Sequence, residues 1–136
     1  MRTIFTIATE GPGLYEFTGA ARRFTQRQGD GLLTLFARHT SCSLLIQENA
    51  DPSARADLEA WLSRLIPPAD HPSMSWLTHT LEGADDMPAH LKAAILPVSL
   101  SIPVADGAPM LGTWQGIYLW EHRRLPHRRE VAAHFA

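Results

Sequence analysis

A chain of 136 residues with 45% apolar and 19% charged side chains can bury roughly two-thirds of its unfolded surface and is too apolar to stay disordered. Twelve basic against fourteen acidic residues leave a formal charge of −2, which argues against a nucleic-acid-binding face or a polybasic membrane anchor. A lone cysteine, Cys42, excludes an internal disulfide and a multi-cysteine zinc site. The apolar residues at the N-terminus are interrupted by threonines and stop at Glu10, too short a run for a secretory signal. Nothing approaches the roughly eighteen apolar residues of a membrane span. The expectation is a soluble, cytoplasmic protein forming one domain over residues 1–136, with neither nucleic acid nor membrane as partner.

In chain order, residues 3–8 read as a strand. A Gly11-Pro12-Gly13 turn follows, and extended structure resumes over 14–17. Thr18 is placed to cap a helix over 19–28, with Ala20, Ala21 and Phe24 on one face and Gly29-Asp30-Gly31 as its stop. Residues 32–38 and 43–47 read as strands joined by the short polar segment His39-Thr40-Ser41-Cys42. Asp51 as N-cap and Pro52 in the first turn open a helix carrying Leu58, Trp61, Leu62 and Leu65, which Pro67-Pro68 ends. Residues 69–88 show no periodicity and read as a long loop, a kind of segment that is usually functional or disordered. A short helix over 88–96, a strand over 98–102, a turn at 105–108 and strands over 113–121 and 128–135 complete the chain. Six or seven strands with about three inserted helices predict an α+β fold with mostly antiparallel sheets.

Polar chemistry gathers in three segments. In the first, His39 beside Cys42 suggests a Cys/His pair, but such pairs meet in space rather than in sequence, and Cys42 reads better as a small buried apolar residue. In the second, His79, Asp86 and His90 are ligand types for zinc and similar ions, while Asp85-Asp86 before Pro88 also suits a helix N-terminus. In the third, Gly112 and Gly116 flank Thr113-Trp114-Gln115 and suggest close backbone approach, with Trp114 readable as core. Lys92 is the single lysine among twelve basic residues, a bias that genome composition explains. His122-Arg123-Arg124 and His127-Arg128-Arg129 read either as a solvated turn or as an anion-binding rim.

The segments Arg-His-Thr-Ser-Cys-Ser-Leu-Leu-Ile-Gln-Glu-Asn-Ala-Asp-Pro (38–52), Asp-Asp-Met-Pro-Ala-His-Leu-Lys-Ala (85–93) and Leu-Gly-Thr-Trp-Gln-Gly-Ile-Tyr-Leu-Trp-Glu-His-Arg (111–123) resemble, in order and spacing, the YjbQ family, often labelled secondary thiamine-phosphate synthase enzymes. The likeness spans essentially the whole chain. It implies a compact α+β domain that assembles as a homotrimer and a small phosphorylated molecule as ligand. It also implies a weak ability to join a pyrimidine-methyl pyrophosphate to a thiazole phosphate with release of pyrophosphate. Carried over by motif, His39, Asp86, His90 and Glu121 are the expected catalytic residues. Thr40, Ser41, Asn49, Asp51, Lys92, Gly112, Thr113 and Gln115 are the expected substrate contacts. His39, His79 and His90 are expected to converge on a divalent metal, zinc or magnesium, with Asp86 orienting one of them or sharing the ion. A non-catalytic metal- or small-ligand-binding trimer is the alternative. The chain has no phosphate loop of the P-loop type, so backbone amides, hydroxyls and arginines would have to hold a phosphate.

Overall fold

A computed structural model describes residues 1–136, arranged as eight strands and three α-helices in two antiparallel sheets. The strands are β1 (Arg2–Thr9), β2 (Gly13–Glu16), β3 (Gly31–Ala37), β4 (Cys42–Glu48), β5 (Ser99–Ala105), β6 (Ala108–Pro109), β7 (Gln115–Glu121) and β8 (His127–Phe135). The helices are α1 (Thr18–Thr25), α2 (Pro52–Leu65) and α3 (Asp86–Ile95), with a single 3₁₀ turn at Pro72–Met74 inside the expected long loop. One sheet runs β1-β8-β3-β5-β6 and the other β2-β7-β4. The expected α+β class and antiparallel sheets are observed.

Alternation builds the first sheet. Leu33, Leu35 and Ala37 of β3, Val131 and Ala133 of β8, and Ile102 and Val104 of β5 point inward, and their neighbours point to solvent. These meet Leu44 of β4 and Ile117 and Leu119 of β7 in one core between the sheets, closed at one side by Phe17 and Ala21. The opposite face of the second sheet is covered as well: Leu14, Tyr118 and Trp120 pack with Leu62 of α2. Strand β7 is thus buried on both faces, which is why residues 116–121 are inaccessible without a period of two. The outer face of the first sheet stays open and presents Ile4 and Phe36.

Two local expectations change. Thr18 does not cap α1; it is the helix's first residue, and its hydroxyl donates to Glu16 Oε2 at 2.7 Å and accepts from the Ile117 amide at 2.8 Å. The helix is therefore anchored to β7 and stops at Thr25, earlier than Gln28. Asp51 does cap α2, accepting from the Ser53 amide at 2.9 Å, with Pro52 in the first turn. At the β5–β6 turn, Asp106 (φ 49°) and Gly107 (φ 76°) both adopt the left-handed conformations that a tight hairpin requires. No helix is long and apolar enough to cross a membrane.

Candidate functional site

Helix α3 begins two residues before Pro88, so Asp86 and His90 lie one turn apart on the same face. The preceding loop folds back and brings His79 to them. His79 Nε2 lies 2.9 Å from Asp86 Oδ2, and His90 Nε2 lies 3.4 Å from the same oxygen. The three potential ligand atoms all fall within 4.8 Å of one another. Asp86 is buried, whereas the two imidazoles reach solvent. His90 Nδ1 is 3.0 Å from the Thr40 carbonyl oxygen. A carbonyl only accepts, so Nδ1 carries a proton and Nε2 is the nitrogen turned toward Asp86.

The second oxygen of Asp86 is held from behind. Arg123, just beyond β7, donates from Nη1 to Asp86 Oδ1 at 2.6 Å, from Nε to Asp85 Oδ2 at 2.9 Å and from Nη2 to the Glu82 carbonyl at 3.2 Å. Burial raises the Asp86 pKa, but the His79 hydrogen bond and the Arg123 charge outweigh it and hold the carboxyl below the usual range. In the sequence Arg123 is legible only as part of a basic run, and Asp85 only as a possible cap. Asp85 does stand at the N-cap position, yet its side chain serves Arg123 and the Arg124 amide instead of the helix.

His39 does not join this cluster. Its Nε2 accepts from the Glu130 amide at 2.7 Å, one step beyond the last β3–β8 bond, in which the Arg38 amide donates to the Glu130 carbonyl at 3.1 Å. The ring extends the ladder where the strand ends, so the expectation that three histidines converge is corrected to His79, Asp86 and His90. Burial, reinforced by Arg129, lowers the His39 pKa.

Glu121 is corrected too. Fully buried, it accepts from Thr9 Oγ1 at 2.6 Å and Arg129 Nε at 2.7 Å on Oε1, and on Oε2 from Arg129 Nη2 and the His122 and Arg123 amides. Burial raises its pKa, but Arg129 and Thr9 outweigh that and hold it ionised. It is the centre of an internal ion pair, out of a substrate's reach. Ser41 is drawn into the same network, its hydroxyl accepting from Arg129 Nη2 at 2.9 Å.

Asn49, Asp51, Gly112, Thr113 and Gln115 lie elsewhere. The β4–β7 register pairs Cys42 with Glu121 at one end and Glu48 with Gln115 at the other, six residue steps or about 20 Å apart. Thr40 adjoins His90 at the first end, and Asn49 and Gln115 sit at the second. There Gln115 Oε1 accepts from the Gly112 amide at 2.7 Å and Asn49 Nδ2 donates to Glu16 Oε2 at 3.2 Å. A Cβ on Gly116 would stand 2.7 Å from Glu16 Oε2, the close approach expected there. Trp114 is exposed rather than core. Within the chain the expected substrate contacts therefore lie at two ends of one sheet. Lys92 is half-buried on α3; burial pushes its pKa down and Asp85 partly offsets that. Cys42 is fully buried, and burial pushes its thiol up to about 11, so it behaves as a core residue.

The UPF0047 protein YjbQ-like family profile matches residues 3–136. The chain belongs to this family. It is 46% identical over 133 residues to the UPF0047 protein sll1880 of Synechocystis, covering 96% of this chain and 88% of that protein. It is 50% identical over 103 residues to the UPF0047 protein YjbQ of Salmonella typhimurium, covering 76% and 71%. Among solved structures, the conserved hypothetical protein TT1486 of Thermus thermophilus superposes with a TM-score of 0.86 at 31% identity, covering 98% of this chain and 99% of that one. The hypothetical protein APE1520 of Aeropyrum pernix superposes with a TM-score of 0.87 at 27% identity, covering 100% and 98%. UPF0047 membership thus accounts for the fold, and none of these descriptions states an activity.

Proposed function

We propose that this UPF0047 chain is a cytoplasmic small-molecule enzyme that binds one divalent cation through His79, Asp86 and His90 and acts on a phosphorylated substrate. The observation that carries the reading is the trio itself: two imidazole nitrogens and a carboxylate oxygen within 4.8 Å, with the His90 tautomer set by the Thr40 carbonyl. Three protein ligands with solvent on one side match a catalytic metal centre, and an imidazole-rich set suits zinc better than magnesium. When bound, such an ion supplies Lewis-acid stabilisation to a leaving pyrophosphate. Arg123 fixes the Asp86 carboxylate with Oδ2 toward the histidines, and Thr40 fixes His90. His79 Nε2, which donates to Asp86 Oδ2, would hold the ion only as the Nδ1–H tautomer, with no proton on Nε2.

The reaction to assay first is the one the family resemblance implies, the joining of a pyrimidine-methyl pyrophosphate to a thiazole phosphate. Pyrophosphate release should vanish on chelation, return with zinc and be absent from His90→Ala; release indifferent to all three removes the reading. Self-association as a homotrimer is part of the same proposal, supported by the exposed Ile4 and Phe36 on the open face of the first sheet. A second reading, a metal-binding trimer without turnover, is favoured by the distance of Asn49 and Gln115 from the trio and by the engagement of Ser41 with Arg129. Zinc retention in the absence of turnover on any phosphorylated substrate would select it.

A further inference from the structure

On the far side of α3 from the histidines, a groove runs between α2 and the end of β7. It has two connected chambers of about 360 and 170 Å³ that share Pro12, Ser63, Lys92 and His122 in their walls. Lys92 follows His90 by two residues, which turns its side chain about 200° around the helix axis. The groove and the metal trio are therefore separate surfaces of one helix.

The charges lining the groove are unevenly satisfied. Asp85, in the smaller chamber, already accepts from Arg123 Nε and the Arg124 amide. Glu59, in the larger, accepts from the Leu14 amide at 3.1 Å, and the Glu121 carboxylate behind that wall is fully enclosed and held by Arg129 and Thr9. His122 is buried, its Nε2 2.9 Å from Ser43 Oγ, and burial keeps the ring uncharged. By contrast, neither the Lys92 ammonium nor the Arg124 guanidinium has any hydrogen-bond or ion-pair partner, and both line the smaller chamber. A half-buried ammonium that makes no hydrogen bond, whose one nearby carboxylate, Asp85, is already engaged by Arg123, stands beside a second unpaired cation, an arrangement that an anion completes.

We propose that this groove is a phosphate-binding site for a small organic phosphate, with the phosphate in the smaller chamber on Lys92 and Arg124 and the organic portion in the larger one beside Trp120. The smaller chamber has room for one phosphate group, and the larger one for an aromatic ring. The site needs no metal, so it stands or falls independently of the trio.

The test uses the full chain after chelation, titrated with inorganic phosphate and, separately, with phenyl phosphate, following ³¹P resonances and heat of binding. Both probes should saturate, with phenyl phosphate the tighter because it also fills the larger chamber. Lys92→Gln should weaken both by about tenfold or more, as expected for loss of a charge-assisted hydrogen bond. Arg128→Gln, which removes an exposed arginine outside the groove, should leave both unchanged. Ser63→Trp, on an exposed helix position and hence tolerated by the fold, should block phenyl phosphate. Inorganic phosphate binding as tightly as phenyl phosphate would limit the site to a free anion and overturn the organic-phosphate assignment. Absence of saturation by either probe, or equal binding by Lys92→Gln and the parent chain, overturns the site altogether.

Discussion

Arg123 and Asp86 are joined by a 2.6 Å hydrogen bond between Nη1 and Oδ1, and that contact leaves the carboxylate's other oxygen for both histidines. The two residues are thirty-seven positions apart, so β7 and α3 must pack correctly before the metal trio exists. Replacing Arg123 by Met should leave the buried Asp86 Oδ1 without its charged partner, at a cost of about 3 kcal/mol. Urea unfolding checks the stability and elemental analysis the zinc content. Unchanged values for both would mean that Arg123 does not organise the site.

Glu121 sits in an equally closed arrangement, fully buried against Arg129 and Thr9. Glu121→Gln removes the negative charge and leaves the Arg129 guanidinium uncompensated. The expected loss is about 3 kcal/mol of stability, with turnover per folded molecule preserved. Equal stability but abolished turnover would return Glu121 to the catalytic set.

His122 predicts how stability depends on pH. Burial, with Lys92 adding to it, lowers its pKa from the ordinary 6.5 to about 3. Between those values the unfolded chain binds more protons at this residue than the folded one, so unfolding free energy rises with pH. The contribution is present in full above pH 6.5 and is lost as pH falls toward 3, at up to about 1.4 kcal/mol per pH unit. Denaturant midpoints measured between about pH 6.5 and 5, above the carboxylate range, carry this effect together with that of His39, whose pKa burial also lowers. His122→Gln should flatten the slope, and an unaltered slope would assign it to another group.

Cys42 should be chemically silent. Its thiol, raised to about 11 and fully buried, should not react with a disulfide reagent at pH 8 unless the chain is unfolded. Cys42→Ala should cost about 1 kcal/mol of packing and spare turnover. Rapid labelling of the folded protein, or a folded but inactive variant, would restore a catalytic thiol.

The open face of the first sheet bears Ile4, 42% exposed, and Phe36, 49% exposed, on strands separated only by β8. If copies of the chain pack there, Phe36→Asp should convert a trimer into monomers in light scattering. A parent chain of monomer mass, 15.1 kDa, removes the trimer itself.

Much of this protein is local and so can be read from one sequence. Alternation in residues 32–37, the Asp51-Pro52 helix start and the Asp106-Gly107 turn depend on neighbours within a few residues, and each appears close to its expected place. Asp86 and His90 share a helical face by spacing alone. His79 reads as a ligand type, but nothing periodic in residues 69–85 says that the loop turns back onto α3. Sheet register and ion pairing decided the rest. The β4–β7 pairing sends two halves of one motif to opposite ends of a sheet. The end of β3 gives His39 to a backbone amide, and burial beside Arg129 takes Glu121 out of reach. These outcomes depend on contacts between residues about seventy to ninety positions apart or on burial in a packed core. Such contacts are set by the competition between whole elements, not by any residue type or spacing along the chain.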